Sequence, residues 1–241
     1  MTKMMYRFVS LIMVIVFGSL LSACSEDDQI KYHSLLGDWA IYDNAAELVE
    51  YANVVYIGEV SDISFEILDE RDATPVNDST PTEYREIYTV YEVNVIESYK
   101  GNKSGITKIR LMGGMENYHT ETQMELMKQY HVHDENLGIP IWADTNKTKC
   151  EIGGKYLFVL YEFETGYPTF VNLEQSVFAL TDPTRKQTIG ENATVYYTGK
   201  RDERGLPLIS PKDIISEFGA EAWESFSLLY EEWKATDSAQ K

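Results

Sequence analysis

Two long stretches of this chain keep a period of two, and that period commits them to strands. In the first, Val54, Tyr56, Gly58 and Val60 share one face, while Ile63, Phe65 and Ile67 take the opposite parity. The parity switches near Ser61-Asp62. A strand that keeps one face on a core through such a switch needs a bulge. The pattern therefore predicts one long strand, bent in the middle. In the second stretch, from about Glu86 to Tyr99, Ile87, Thr89, Tyr91, Val93 and Val95 alternate with Tyr88, Val90, Glu92, Asn94 and Ile96. Residues 69–83, polar and with two prolines, predict a mobile loop between them.

Weaker signals fill in the rest. Ile106–Met112 reads as a third strand, stopped by Gly113-Gly114. Lys155–Phe163 is continuously apolar enough to be a central strand buried on both faces. Pro168–Leu180 supplies one or two strands, and Thr194–Thr198 a short late one. Asn44 with Glu47, and Thr120 with Gln123, have the spacing of helix N-caps. The second would open a short helix with Met124, Met127 and Tyr130 on one face. Beyond it, His131–Lys149 has no period and reads as loop. Ser210-Pro211-Lys212-Asp213 opens a C-terminal helix with Ile215, Phe218, Ala222, Phe226, Leu229 and Trp233 as its apolar stripe. Gly219 is placed to divide that helix in two.

The N-terminus reads as an address. Lys3 and Arg7 precede an apolar run from Phe8 to Leu21 that is short of the ~20 residues of a spanning helix. It ends in Leu21-Ser22-Ala23-Cys24. These four residues resemble the lipobox of bacterial lipoprotein precursors. The resemblance implies cleavage before Cys24, a diacylglyceryl group on its thiol, and acylation of the new amine, often with palmitate. Two or more acyl chains hold a protein firmly at a bilayer where one does not. Residues 1–23 are then the signal peptide and 24–35 a polar tether. If Cys24 is lipidated, Cys150 has no disulfide partner within the chain and reads as a small buried hydrophobe.

The strand order resembles an OB-type barrel of five strands, with a helix between the third and fourth. The expected fold is therefore mainly β. It consists of a barrel domain over 36–200, a helix-containing insertion at 113–150 and a helical appendage at 206–241. Three segments carry a further resemblance: Asn53–Val60, Tyr88–Val93 leading into Tyr99-Lys100-Gly101, and Gly154–Leu160. They are similar to the netrin-like module of TIMP-type metalloproteinase inhibitors, and more so to secreted bacterial proteins that share that barrel. Such inhibitors chelate zinc with an unmodified N-terminal cysteine and are stapled by disulfides. Neither feature is present here, so that mechanism does not transfer.

Charge narrows the function. The chain carries a formal −18, and removing Lys3 and Arg7 with the leader makes the rest more acidic still. A nucleic-acid binder needs a basic surface, so nucleic acid is excluded as a partner. Docking on a membrane through a polybasic surface is disfavoured as well. The sharpest chemical motif is His131-Val132-His133. Alternate residues of an extended segment point the same way, so His131 and His133 are the candidate metal ligands, with His119 and Cys150 to complete a site. Against this, the spacing matches no named metal family and the segment reads as solvated loop. No GxSxG, HExxH or SxxK motif is present, and no cofactor is implied. Many tyrosines lie in or beside the strands. They suit a recognition surface, and they also suit ordinary strand packing. The expectation is a lipid-anchored extracytoplasmic binding module, taking a protein or small ligand. The alternative is a metal-handling protein or enzyme with its site in the 113–150 insertion.

Overall fold

The computed structural model describes residues 32–35, 39–132, 138–142, 150–173, 175–181 and 209–239. Cys24, His133 and the late strand expected at 194–198 lie outside the described residues. The strands are β1 (Tyr32–Leu35), β2 (Val54–Asp69), β3 (Arg85–Lys100), β4 (Ile106–Met112), β5 (Ile139–Trp142), β6 (Lys155–Tyr161), β7 (Thr169–Phe170) and β8 (Val177–Thr181). The helices are α1 (Ala45–Tyr51), α2 (Thr120–Gln129), α3 (Pro211–Ser216) and α4 (Ala220–Ala239).

Five strands close on themselves. β2 lies antiparallel between β3 and β6, β3 pairs with β4, β4 runs parallel to β7, and β7 returns to β6. β8 continues along the edge of β6 that β7 leaves uncovered. With α2 between the third and fourth barrel strands, this is the OB-type order.

The bend of β2 falls where the parity requires it. Val60 pairs with Val93 and Asp62 with Glu92, so Ser61 is the extra residue of a bulge. Val60 and Ile63 consequently both face the barrel interior despite their opposite parity.

The barrel buries both faces of its seam. Val54 and Tyr56 of β2 and Tyr156, Phe158 and Leu160 of β6 point inward, with Tyr91, Ile109 and Phe170. Val55, Ile57, Leu157 and Val159 point outward beneath Leu48 of α1, Ile214 and Ile215 of α3, and Phe226 of α4. This is why β6 reads as an unbroken apolar run rather than an alternating one. The apolar stripe of the C-terminal helices packs on this outer face of the seam. Ser210 caps α3 through a reciprocal pair with Asp213, and Gly219 at φ +100° separates α3 from α4. α1 is capped by Asn44, whose side chain accepts from the Glu47 N–H at 3.0 Å. Lys100 Nζ donates to the Val49 carbonyl at the other end of α1, at 2.7 Å.

Four local expectations need correction. Residues 32–35, expected in the tether, form β1. The segment 131–149, expected as loop, supplies β5 as its parallel partner. Four-residue strands are too short to show a period, and their pairing is set by packing: Ile139 is buried with Ile67, Ile87 and Met127. Thr120 does not cap α2. His119 holds the cap position in the left-handed region without a side-chain bond. Gln123 instead turns inward, accepting from the Met115 N–H at 3.0 Å and donating to its carbonyl at 2.9 Å. Gly114 permits this, since a Cβ there would overlap Gln123 Oε1. Finally, the loop after β2 is organised throughout. Asp69 chelates the Arg71 guanidinium, Asp72 accepts from Thr74, Asn77 accepts from Ser79, and Arg85 donates to the carbonyls of Thr80 and Tyr130.

Candidate ligand-binding cleft

On β4, Lys108, Arg110 and Met112 share the face opposite to Ile109 and Leu111. Lys108 finds a partner across the sheet, with its Nζ 3.0 Å from Glu66 Oε1. Arg110 does not. Its backbone is fixed, because its N–H donates to the Pro168 carbonyl at 2.9 Å and its carbonyl accepts from Thr169 Oγ1 at 3.1 Å. Its side chain is covered by neighbouring loops, leaving the residue 7% exposed. Among the described residues, buried Nη1 makes no hydrogen bond and the guanidinium forms no ion pair. Its neighbours are the rings of Tyr88, 6.0 Å away, and Phe163, 5.7 Å away.

Burial of a charge without an ion-pair partner is costly. Burial accordingly pulls the Arg110 pKa below its ordinary value, with Tyr88 and Asp72 offsetting part of the effect. Burial also pushes the Tyr88 phenol up to about 12, against the pull of Arg110.

The guanidinium lines a cleft of about 370 Å³, toward the small end of the ~300–1,000 Å³ typical of small-molecule sites. Its floor is β4 and β7. One wall is the loop that follows β2; the other is the segment from β6 to β7. Thr165 Oγ1 donates to the Asp72 carbonyl at 2.7 Å and ties the two loops together. Gly166 closes over Arg110 at φ +73°. A Cβ there would sit 2.6 Å from Nη1 and 2.7 Å from the Ala73 carbonyl oxygen.

Aromatic side chains form the mouth. Phe163 is 53% and Trp39 38% exposed. Trp39 is set by a clamp on the segment that follows it. Buried Asn172 donates to the Ala40 carbonyl, and buried Gln175 pairs with both the N–H and the carbonyl of Tyr42, at 3.0 and 2.8 Å. From Phe163 a file of rings runs outward through Tyr161, Tyr51 and Tyr42, with successive centroids 4.8, 5.3 and 5.5 Å apart. At the rim, Arg71 is already committed to Asp69 and to the Tyr84 ring, 4.2 Å away. The carboxylates of Glu70 and Asp72 remain.

Among the described residues, the candidate metal ligands lie elsewhere. His131 is exposed in the left-handed region. His119 is exposed, edge-on to Tyr118 at 4.6 Å. Cys150 is fully buried in the barrel interior, where burial pushes its thiol far above the ordinary range. Among the described residues no three His, Cys, Asp or Glu side chains converge to hold a metal. The sequence pattern does not single out Arg110. Its only signal is a lone cation between Ile109 and Leu111, indistinguishable by pattern from Lys108 two residues earlier.

The sequence matches no family model and no curated protein.

Proposed function

We propose that this chain is a lipid-anchored, extracytoplasmic binding module whose OB-type barrel presents the Arg110 cleft to a small ligand. The single observation that carries the reading is a buried cation with no ion-pair partner among the described residues, at the base of an aromatic-walled cleft. A buried charge without a counter-charge is costly, and an anion reaching the guanidinium from the cleft would offset that cost. The position of the cleft supports it. OB barrels that bind oligonucleotides or oligosaccharides do so on the face of their second and third strands, between the loop joining strands one and two and the loop joining four and five. In this chain those are β3, β4, the 70–84 loop and the 162–168 loop. That positional argument is one of fold-level analogy. The lipobox at Leu21–Cys24 supports the anchoring to a bilayer, and the formal charge of −18 argues against nucleic acid as the ligand.

Two measurements test the reading. Mass spectrometry of the membrane fraction should find Cys24 diacylated, and Cys24→Ala should leave the precursor unprocessed; an unmodified Cys24 refutes the anchor. For the cleft, saturation-transfer NMR on the full-length protein in detergent should be run with a defined mixture of small organic acids, free sugars and N-acetylated amino acids. At least one class should receive saturation, and a Trp39→Ala/Phe163→Ala variant should lose it. Saturation of no class, or saturation unchanged in the variant, refutes the cleft as a binding site.

A further inference from the structure

We infer that the ligand of this cleft is a small, planar, apolar molecule bearing one negative charge, with its carboxylate or equivalent group paired to Arg110. The inference rests on the cleft being a binding site and goes on to name the chemistry it selects.

Three features of the site lead there. The guanidinium is a flat fork of donors, and a carboxylate is the anion that matches it in two parallel hydrogen bonds. The guanidinium carbon lies over two rings, Tyr88 at 6.0 Å and Phe163 at 5.7 Å. Its donors are left without an ion-pair partner of their own among the described residues. Bringing an anion to it restores the electrostatic balance that burial removed.

The walls set the rest of the ligand. Trp39, Tyr88 and Phe163 line the cleft. Rings of this kind favour offset or edge-to-face contact with a flat apolar partner. A volume of about 370 Å³ suits a monomer rather than a polymer.

The rim limits the charge to one. Arg71, the other cation in the lining, is chelated by Asp69. Glu70 and Asp72 share the lining with Arg110. A second negative charge on the ligand would meet two carboxylates and no open cation, and like charges placed together are unfavourable.

The test uses the full-length protein in detergent with benzoate as the probe. Benzamide, the same shape without the charge, and benzene-1,3-dicarboxylate, with two charges, are the controls. Binding is read by calorimetry and by quenching of tryptophan fluorescence. Benzoate should bind at least tenfold more tightly than either control. Arg110→Met should abolish the preference for benzoate over benzamide. Phe163→Asp changes only the exposed mouth, so it tests the same point without touching the barrel: it should weaken benzoate more than benzamide. Trp39→Phe should keep the calorimetric binding and lose most of the quenching. Equal binding of benzoate and benzamide, or a preference that survives both Arg110→Met and Phe163→Asp, overturns the inference. If a neutral sugar or amide occupies the cleft and the Trp39→Ala/Phe163→Ala variant loses it, the binding-module reading stands and only the charge assignment falls.

Discussion

Replacing Arg110 by Met should make the protein more stable while it removes the charge from the cleft. The residue is 7% exposed, its Nη1 is buried without a hydrogen bond, and two rings near 6 Å are its main compensation. Replacing buried ionic groups by apolar ones of similar volume often stabilises by ~1–4 kcal/mol. Removing each cation–π interaction subtracts ~0.5–1 kcal/mol from that gain. Met keeps the unbranched stem and its packing, and its flexibility lets it fill the space left by the planar head. With two such interactions lost, the net expectation is a gain of about 1 kcal/mol. For a domain of this size each kcal/mol moves Tm by ~2–4 °C, so the melting temperature should rise by about 2–4 °C. Urea titration and thermal melts followed by circular dichroism, at pH 7 and without added ligand, measure it. A loss of more than about 1 kcal/mol would show that Arg110 is a structural strut, and the argument from an unpaired charge would fail.

Phe226→Ala should cost about 3–5 kcal/mol, the range for deleting a buried aromatic ring, because Phe226 packs between Trp223 and Tyr230 under the barrel seam; an unchanged urea midpoint would show that α4 does not contribute to the core. Asp69→Asn should destabilise the protein at pH 7, because the hydrogen bonds from Arg71 hold the Asp69 carboxyl below its ordinary range. A depressed folded pKa contributes stability above the ordinary value of ~3.9 and loses it as pH falls through the folded value. The gap between wild type and variant should therefore narrow below pH ~4, and a gap independent of pH down to 2 would refute the pairing. A zinc titration of the full-length protein should leave Tm unchanged, because His131 is exposed in a left-handed turn and Cys150 is buried away from solvent. A rise in Tm that disappears in a His131→Ala/His133→Ala variant would favour the metal-handling alternative.

The barrel was legible because its longest strands carry their own pattern. The parity switch at Ser61 located the bulge, and the unbroken run in β6 gave its double burial. Asn44, Ser210 and Gly219 did at the helix ends what their chemistry suggests. The cleft was not legible, for a physical reason. Lys108 and Arg110 occupy equivalent positions in the alternation of β4, and among the described residues only the placement of Glu66 on β2, two strands away across β3, makes one paired and the other not. That difference arises from tertiary register, which no local period encodes. Trp39 is a similar case, since it owes its place to Asn172 and Gln175, far along the chain. Thr120 with Gln123 misled because Gln123 had a stronger use inward, in the space that Gly114 leaves for it.

The seam between β2 and β6 carries a consequence for how the chain must fold. Asn53 and Glu162 exchange hydrogen bonds at its end, Asn53 Nδ2 to the Glu162 carbonyl at 2.7 Å and the Glu162 N–H to Asn53 Oδ1 at 2.6 Å, across 109 positions. The β2–β3–β4 meander needs only neighbouring sequence and can assemble early. Closure must wait for β6, and pairings between segments so far apart are slow to form. Until then the N-terminal half of β2, apolar on both faces, stands as an unprotected sheet edge. Such an edge is a template for pairing with other chains. Variants that weaken the seam should therefore show themselves first as aggregation during refolding, before any loss of equilibrium stability is large enough to measure.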